Sequence, residues 1–387
     1  MAGIYIHVPF CRQACHYCDF HFSTQTKSAD RMVQAMVREA KLRHDLESVW
    51  RHETFTTLYL GGGTPSLLSS NSMTTIVRGV TRALGVDMET LEEVTLEANP
   101  EDLTDERLEA WREAGITRLS VGIQSFHDDT LRWMNRAHTG KQAEEGILRA
   151  HRAGFETLTV DLIYGVPTQR EWSDDVKRAL DLPVRHLSAY ALTVEPKTVL
   201  GTRVERGDQP APSDSRAVQE YHSLCGELTR RHWHHYETSN WAQPNREGAY
   251  WVARHNSAYW SGAPYLGLGP GAHGFVGASR YANVPNNPAY LTSLEQGMLN
   301  QTTETLSSTD RYNEHLMTGL RTAAGIHPES LEKLWGHRPD VAEPDVWAKA
   351  LESGDLIAIE NGRFRVPEER WITGDRVAAA LFWVDSP

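Results

Sequence analysis

Three of the chain's four cysteines, Cys11, Cys15 and Cys18, fall within eight residues. Cys-x3-Cys-x2-Cys places three soft ligands on one short loop. A disulfide framework would spread its cysteines to staple distant segments, so an odd cluster of three suits a metal or an iron–sulfur cluster better than a bridge. A structural zinc site would want a fourth ligand at finger-like spacing, and His16 or His21 would have to supply it. A cubane cluster normally takes four cysteines. With three, one iron stays open to an exchangeable ligand, and open iron is a site for chemistry.

The residues around the loop carry a resemblance. Tyr5-Ile6-His7-Val8-Pro9-Phe10-Cys11, with Cys15, Tyr17 and Cys18, resembles the signature of radical S-adenosylmethionine (SAM) enzymes. More narrowly, it resembles the oxygen-independent coproporphyrinogen III oxidase family. That resemblance implies a [4Fe–4S] cluster on Cys11, Cys15 and Cys18, with SAM on the open iron through its amine and carboxylate. Reductive cleavage of SAM to a 5′-deoxyadenosyl radical would follow, with an electron donor for the cluster; the protein orients and shields this chemistry. Gly61-Gly62-Gly63-Thr64-Pro65 resembles the family's glycine stretch against the methionine group of SAM, where the lack of Cβ permits close approach. Glu97 matches a carboxylate that contacts SAM, and Tyr5 an aromatic contact; Tyr17, inside the loop, joins them as a cofactor contact. Gln124, Arg136 and Asp161 match further binding positions, some of which surround a second SAM in the oxidase. Whether one or two SAM molecules bind here stays open.

Two departures separate this chain from the oxidase. Phe20 stands where the oxidase has another cysteine, and only ten residues precede Cys11 where the oxidase has a long extension. Both features resemble instead the HemW branch, described as heme chaperones. Downstream, His255-Asn256-Ser257-Ala258-Tyr259-Trp260 matches that branch's heme-binding motif. Imidazole is a common heme ligand, and Tyr259 and Trp260 would wall a planar macrocycle. His273, in a glycine-rich segment, is a second candidate ligand. The resemblance therefore implies heme bound and handed to an acceptor protein. The alternatives are coproporphyrinogen III oxidation by hydrogen abstraction, a class C radical SAM methyl transfer, or an iron–sulfur protein that has lost SAM chemistry. Retention of the glycine stretch, Glu97 and Gln124 disfavours the last.

These residues need a scaffold, and the pattern supplies one. Strands are expected at residues 3–8, 56–60, 93–98, 118–123, 157–163 and 186–194. Helical stretches are expected between them, at 28–50, 70–84, 104–114, 128–134, 141–153 and 172–182. Alternation of this kind implies parallel β/α units, here a partial (β/α)6 TIM-like barrel two strands short of the full eightfold form. The fold class is α/β, in three parts. Residues 1–200 form the barrel, 201–305 an α+β extension with the heme motif, and 306–387 a small winged-helix-like unit. A helix is expected at 215–232, and a hairpin joining Ile357 to Phe364 around Glu360-Asn361-Gly362.

Composition bounds the rest. Lys and Arg number 39 against 51 Asp and Glu, a net charge of −12, so a nucleic-acid partner is not expected. The chain is 40% apolar and 23% charged, within the globular range, and no run of about 18 apolar residues calls for a membrane span. The first residues lack a basic, then apolar, leader pattern, so the expected location is the cytoplasm. Cys225 shares a helical face with Tyr221, Leu224 and Leu228 and reads as a small core residue. His232-Trp233-His234-His235 reads as a helix end with favourable imidazolium charge, and Glu92-Glu93 and Asp174-Asp175 read as solvated charges at element starts.

Overall fold

The computed structural model describes residues 1–384. Six parallel strands lie side by side in chain order: β1 (Ala2–Val8), β2 (Phe55–Gly62), β3 (Glu93–Ala98), β4 (Arg118–Gln124), β5 (Thr157–Tyr164) and β6 (His186–Ala191). Helices α1 (Ala29–Leu46), α2 (Ser70–Ala83), α3 (Asp105–Ala114), α4 (Asp128–Trp133), α5 (Gly140–Arg152) and α6 (Trp172–Asp181) fill the crossovers. Their ends follow local chemistry. Thr104 caps α3 by accepting from the Arg107 amide, and Gly115 closes it at φ 101°, while Thr139 and Gln142 form a reciprocal capping box on α5.

Alternation along these strands decides where the core sits. Ile4, Ile6, Leu58, Leu60, Leu96, Leu119, Val121, Leu158, Val160 and Leu187 are fully buried, packed in one core with Met36, Ile76, Trp111 and Ile147 of the helices. Each such side chain contributes about 1.5–3 kcal/mol by leaving water. The intervening positions, Thr95, Glu97, Arg118, Ser120, Thr159, Asp161, His186, Ser188 and Tyr190 among them, face inward and are polar. A TIM-barrel interior is usually packed with branched apolar side chains. This one is a cavity.

The chain after β6 forms α7 (Val199–Glu205), α8 (Asp214–Arg230), β7 (His234–Glu237), β8 (Asn240–Ala242), α9 (Arg254–Trp260), β9 (Tyr265–Leu268), β10 (His273–Val276), β11 (Ser279–Asn283), α10 (Asn287–Glu295) and β12 (Gln301–Thr305). All six of these strands join the barrel sheet. β8 and β7 extend it beyond β6, while β9 lies parallel to β1 and leads to β10, β11 and β12. A buried ion pair ties this extension to α1. The Arg43 guanidinium, fully buried, meets Glu39 at 2.9 Å, Asn283 Oδ1 at 2.8 Å and Gln301 Oε1 at 2.7 Å, and lies 3.7 Å over the Tyr281 ring.

The last part comprises α11 (Ser308–Leu320), α12 (Pro328–Trp335), α13 (Pro339–Ala342), α14 (Pro344–Glu352), a hairpin of β13 (Ile357–Ala358) with β14 (Phe364–Arg365), and α15 (Gly374–Ala380). It leans on the extension through the Thr238 amide to Arg321 carbonyl bond (3.0 Å) and the Tyr221 hydroxyl to Glu368 carbonyl bond (2.8 Å). No helix among the described residues is long and apolar enough to cross a membrane.

Three sequence expectations are corrected. Helix α8 ends at Arg230, so His234 and His235 begin β7; His235 stacks on Trp241 at 4.0 Å, and burial pushes its pKa down to about 3. A neutral imidazole in a strand has no dipole to complement. Glu93 is buried rather than solvated, accepting the Arg254 and His255 amides at 3.1 and 3.0 Å beside Arg118. Asp175 is buried too, accepting from Arg170 (2.6 Å), the Ser125 hydroxyl and the Phe126 amide (2.6 Å), which pins the chain leaving β4. Cys225 is half-buried against the core, beside Tyr221.

Candidate cofactor site

The cysteine loop springs from the C-terminal end of β1 and is clamped at its base. The Gly63 amide donates to Val8 carbonyl (2.9 Å) and the Thr64 amide to Phe10 carbonyl (2.6 Å). The Cys11 amide reaches Ser23 carbonyl and the Ser23 amide Pro9 carbonyl, closing the loop on itself. The segment after α4 holds the far side: Asn135 Nδ2 donates to Ala14 carbonyl (2.7 Å) and Gln13 Nε2 to Asn135 carbonyl (2.6 Å). Glycine is required here by contact. A Cβ on Gly63 would lie 2.6 Å from Phe10 carbonyl oxygen, and one on Gly62, at φ 101°, would lie 2.5 Å from His7 Nδ1.

Inside this frame Cys11, Cys15 and Cys18 line one small cavity with Gly62, Gly63, Thr64, Asn99 and Arg136, and all three are free thiols. No three His, Cys, Asp or Glu side chains among the described residues close on one point as a single bare ion would require. A cubane differs in giving each thiolate its own iron. The two nearby imidazoles are engaged elsewhere: His16 Nδ1 donates to Trp133 carbonyl (2.8 Å), and His21 Nε2 meets Asn287 Oδ1 (2.8 Å). Arg136 supplies the local positive charge. It donates to Cys15 Sγ (3.3 Å), Asn99 Oδ1 (2.6 Å) and Gly122 carbonyl (2.7 Å), while its buried Nε finds no partner among the described residues. A hydrogen bond from Cys18, then the Arg136 charge, favour the Cys15 thiolate. The donor set fits an iron–sulfur cluster: soft sulfur ligands for iron, an arginine that offsets the negative charge of the thiolates, and a glycine shelf.

Below the loop opens a cavity of about 730 Å³, enough for a cofactor and more. Glu97 stands at its upper wall, accepting from the Tyr59 hydroxyl (2.7 Å) and the Gly62 amide (3.2 Å). Burial pushes its pKa up to about 7 and that of Asp161 to about 6, the latter held back by Ser188 and Ser120. Gln124 sits at a bulge in β4 with φ 71°, a strained conformation for a side-chain-bearing residue and one that recurs at binding sites. Tyr5 donates to His7 Nδ1 (3.1 Å), because His7 Nε2 already donates to His21 carbonyl (2.8 Å). Tyr17, half-buried, lines the same cavity. Tyr17, Gly62 to Thr64, Glu97, Gln124, Arg136 and Asp161 thus line the two cavities, while Tyr5 and Gly61 lie behind that lining, Gly61 against Tyr59 and Glu97.

The heme-motif residues lie elsewhere. Helix α9 sits at the opposite end of the barrel, under the first residues of β1 to β4. His255 is 1% exposed, with Nδ1 against Thr57 Oγ1 (2.8 Å) and Nε2 against Tyr259 Oη (2.9 Å), and burial lowers its pKa to about 3. Asn256 turns into the cavity floor near Arg118 and His186. Tyr259 packs edge-on against Tyr265, and Trp260 lies under Arg321 at 5.9 Å. His273 is exposed on β10. Sequence reasoning missed Tyr59 and Asn99. Tyr59 shares the inward parity of Thr57 and Gly61, and that period of two was the available signal.

Residues 5–181 match the radical SAM superfamily. The chain is 33% identical to a heme chaperone HemW of Bacillus subtilis (strain 168), across 98% of this chain and 99% of that one. It is 38% identical to a heme chaperone HemW of Mycobacterium tuberculosis (strain ATCC 25618 / H37Rv), over 74% and 73% of the two chains. In fold it is similar to the Escherichia coli coproporphyrinogen III oxidase HemN, a radical SAM enzyme, with a TM-score of 0.82 at 18% identity over 98% of this chain and 90% of that one. A cysteine loop with its glycine shelf above a polar parallel barrel, and a third of all residues shared from end to end, lead to one assignment: the chain belongs to the HemW family of the radical SAM superfamily.

Proposed function

We propose that this chain carries a [4Fe–4S] cluster on Cys11, Cys15 and Cys18 with SAM beside it, and that it binds heme and passes it to an acceptor protein. The observation that carries the reading is the convergence of three free thiols, Arg136 and the Gly62–Thr64 shelf at one end of the barrel cavity, in a chain related along its whole length to heme chaperones. The bound cofactors would supply one-electron reduction and reductive cleavage of a carbon–sulfur bond. The chain's own residues do the rest. Arg136 offsets thiolate charge and orders the Cys15 turn. The Gly62–Thr64 backbone lines the space between the thiols and Glu97 and gives a ligand an edge to lie against, while Gly61 makes room for the Tyr59–Glu97 bond behind it. Glu97, poised near neutrality, takes the charge of an ammonium group, and the barrel walls exclude water.

Two imidazoles are proposed for the heme iron. His273 presents its ring to solvent without rearrangement. His255 would first give up its bond to Thr57 or its bond to Tyr259, an exchange that suits cargo which must later leave. Heme titration of the reconstituted protein with His255→Ala and His273→Ala at matched cluster content tests the reading. Loss or a Soret change is expected in one of them, and superimposable titrations in both would remove the assignment. Incubation of the reduced protein with SAM and coproporphyrinogen III is expected to yield no protoporphyrinogen, because Phe20 replaces the oxidase's additional cysteine.

A further inference from the structure

His255 has a second place in the molecule that heme ligation does not explain. Its helix is anchored at the barrel floor: Glu93, paired with Arg118, accepts the Arg254 and His255 amides that open α9. The ring then enters a slot between β1 and β2. Gly3 leaves that slot open, since a Cβ there would lie 2.8 Å from His255 Cε1. Both ring nitrogens are taken, by Thr57 and Tyr259, and burial keeps the imidazole neutral, so one nitrogen donates and the other accepts. The face of the ring stacks on Tyr59, with centroids 5.1 Å apart and planes 26° apart. Tyr59 in turn donates to Glu97 Oε1 at 2.7 Å. Gly61 permits that bond, because a Cβ there would sit 2.8 Å from Tyr59 Cε1 and 2.9 Å from Glu97 Oε1.

We infer that His255 is a positioning residue for the Glu97 carboxylate, acting through Tyr59 from the barrel floor, so that the segment bearing it sets affinity for SAM at the other end. The inference rests on the reading of Glu97 as a SAM contact. A tyrosine has two side-chain torsions, and the phenol of Tyr59 keeps its aim because an aromatic plate beneath it is itself pinned on both edges. Without the plate the hydroxyl wanders. The carboxylate then keeps only the Gly62 amide and loses its fixed direction.

The test uses the full chain, reconstituted anaerobically, with SAM dissociation constants measured at matched cluster content. The reduced cluster's EPR spectrum is recorded with and without SAM, because a ligand on the open iron changes it. Tyr59→Phe is expected to weaken SAM about tenfold, the cost of one hydrogen bond to a charged group. Thr57→Val, which preserves shape and frees one edge of the imidazole, is expected to weaken it about threefold to tenfold, and His255→Phe likewise. Combined with Tyr59→Phe, Thr57→Val should add nothing, since both act along one path. The SAM-free EPR spectrum should match wild type throughout, whereas a general loosening of the site would move it. Wild-type SAM affinity in Thr57→Val and His255→Phe, with Glu97→Gln weakened, would overturn the positioning role. So would losses that add in the double variant. Unchanged affinity in Glu97→Gln would instead remove the SAM assignment of Glu97, and the inference with it.

Discussion

Gly63→Ala isolates the base of the cluster loop from everything else. Gly63 has an ordinary negative φ, so the penalty comes from contact rather than backbone strain. The new Cβ would meet Phe10 carbonyl oxygen at 2.6 Å, Val8 carbonyl oxygen at 2.8 Å and the Phe10 amide nitrogen at 2.9 Å. All three are backbone atoms and cannot rotate away. Relief to ordinary contact, 3.4 Å, moves the chain at Phe10 by roughly 0.8 Å (3.4 less 2.6). The same two carbonyls accept the Gly63 and Thr64 amides at 2.9 and 2.6 Å, so the shift loosens both bonds. At about 0.5–1.5 kcal/mol each, the closed loop loses about 1–3 kcal/mol, a factor of roughly 5 to 150 in its population. Core packing is untouched, so the fold should persist. The assay is iron and sulfide content after anaerobic reconstitution, followed by the rate of iron release to a chelator. Release should quicken by about one order of magnitude or more. Gly226→Ala, in α8 with nothing within 4 Å, is the control and should keep wild-type release while stabilising the chain by about 0.5–1 kcal/mol. Wild-type release in Gly63→Ala would refute the reasoning, because the shelf would then not be what holds the loop.

Three further outcomes are expected. Cys15→Ala should abolish cluster-dependent use of SAM, and Cys225→Ala should leave iron content as in wild type, both read by iron analysis and SAM cleavage. Arg43→Met leaves the buried Glu39 carboxylate with hydrogen bonds from Gly269, Asn283 and Tyr290 but without its counter-charge and should cost about 3–5 kcal/mol in urea unfolding, against less than about 1 kcal/mol for Arg31→Met at the exposed Arg31–Glu295 pair. Burial pushes Glu237 up to about 7 from its ordinary 4.5, so the folded chain keeps a proton that the unfolded chain releases, and stability falls as pH rises through that window. Glu237→Gln has no such proton and should gain on wild type by on the order of 2–3 kcal/mol between pH 4.5 and 8, measured as the difference in urea midpoints.

The barrel was readable because its signals are local. Thr-Leu-Tyr-Leu, Glu-Val-Thr-Leu-Glu-Ala and Arg-Leu-Ser-Val-Gly alternate apolar and polar residues, and each run lies within one strand. The cysteine loop is local too. What could not be read depends on partners far along the chain. Glu93 looks solvated until the amides of residues 254 and 255, some 160 positions later, arrive above it. Asp175 looks like a helix-start charge until Ser125 and Arg170 close around it. A buried carboxylate and an exposed one have the same letter, and only the tertiary partner distinguishes them.

The same logic separates the two ends of the barrel. At the C-terminal ends of the strands, glycines and cysteines are placed by backbone geometry, and their types alone announce a ligand. At the floor, His255, Thr57, Tyr259 and Tyr59 are ordinary residues whose contacts satisfy one another, leaving no open valence to announce anything. Sequence reasoning sees an imidazole beside aromatics and assigns it a metal. The fold supplies that imidazole with two hydrogen-bond partners before any iron arrives. An iron takes one ring nitrogen, so at His255 it must displace either Thr57 or Tyr259, and at about 0.5–1.5 kcal/mol for that bond the competition costs roughly 2- to 13-fold in apparent affinity. The exposed His273 carries no such cost. Because Tyr59 and Glu97 lie on the far side of the same ring, heme taken by His255 would also release the carboxylate at the cluster end. Heme at His255 and SAM at Glu97 would then weaken each other, and linkage makes that weakening reciprocal.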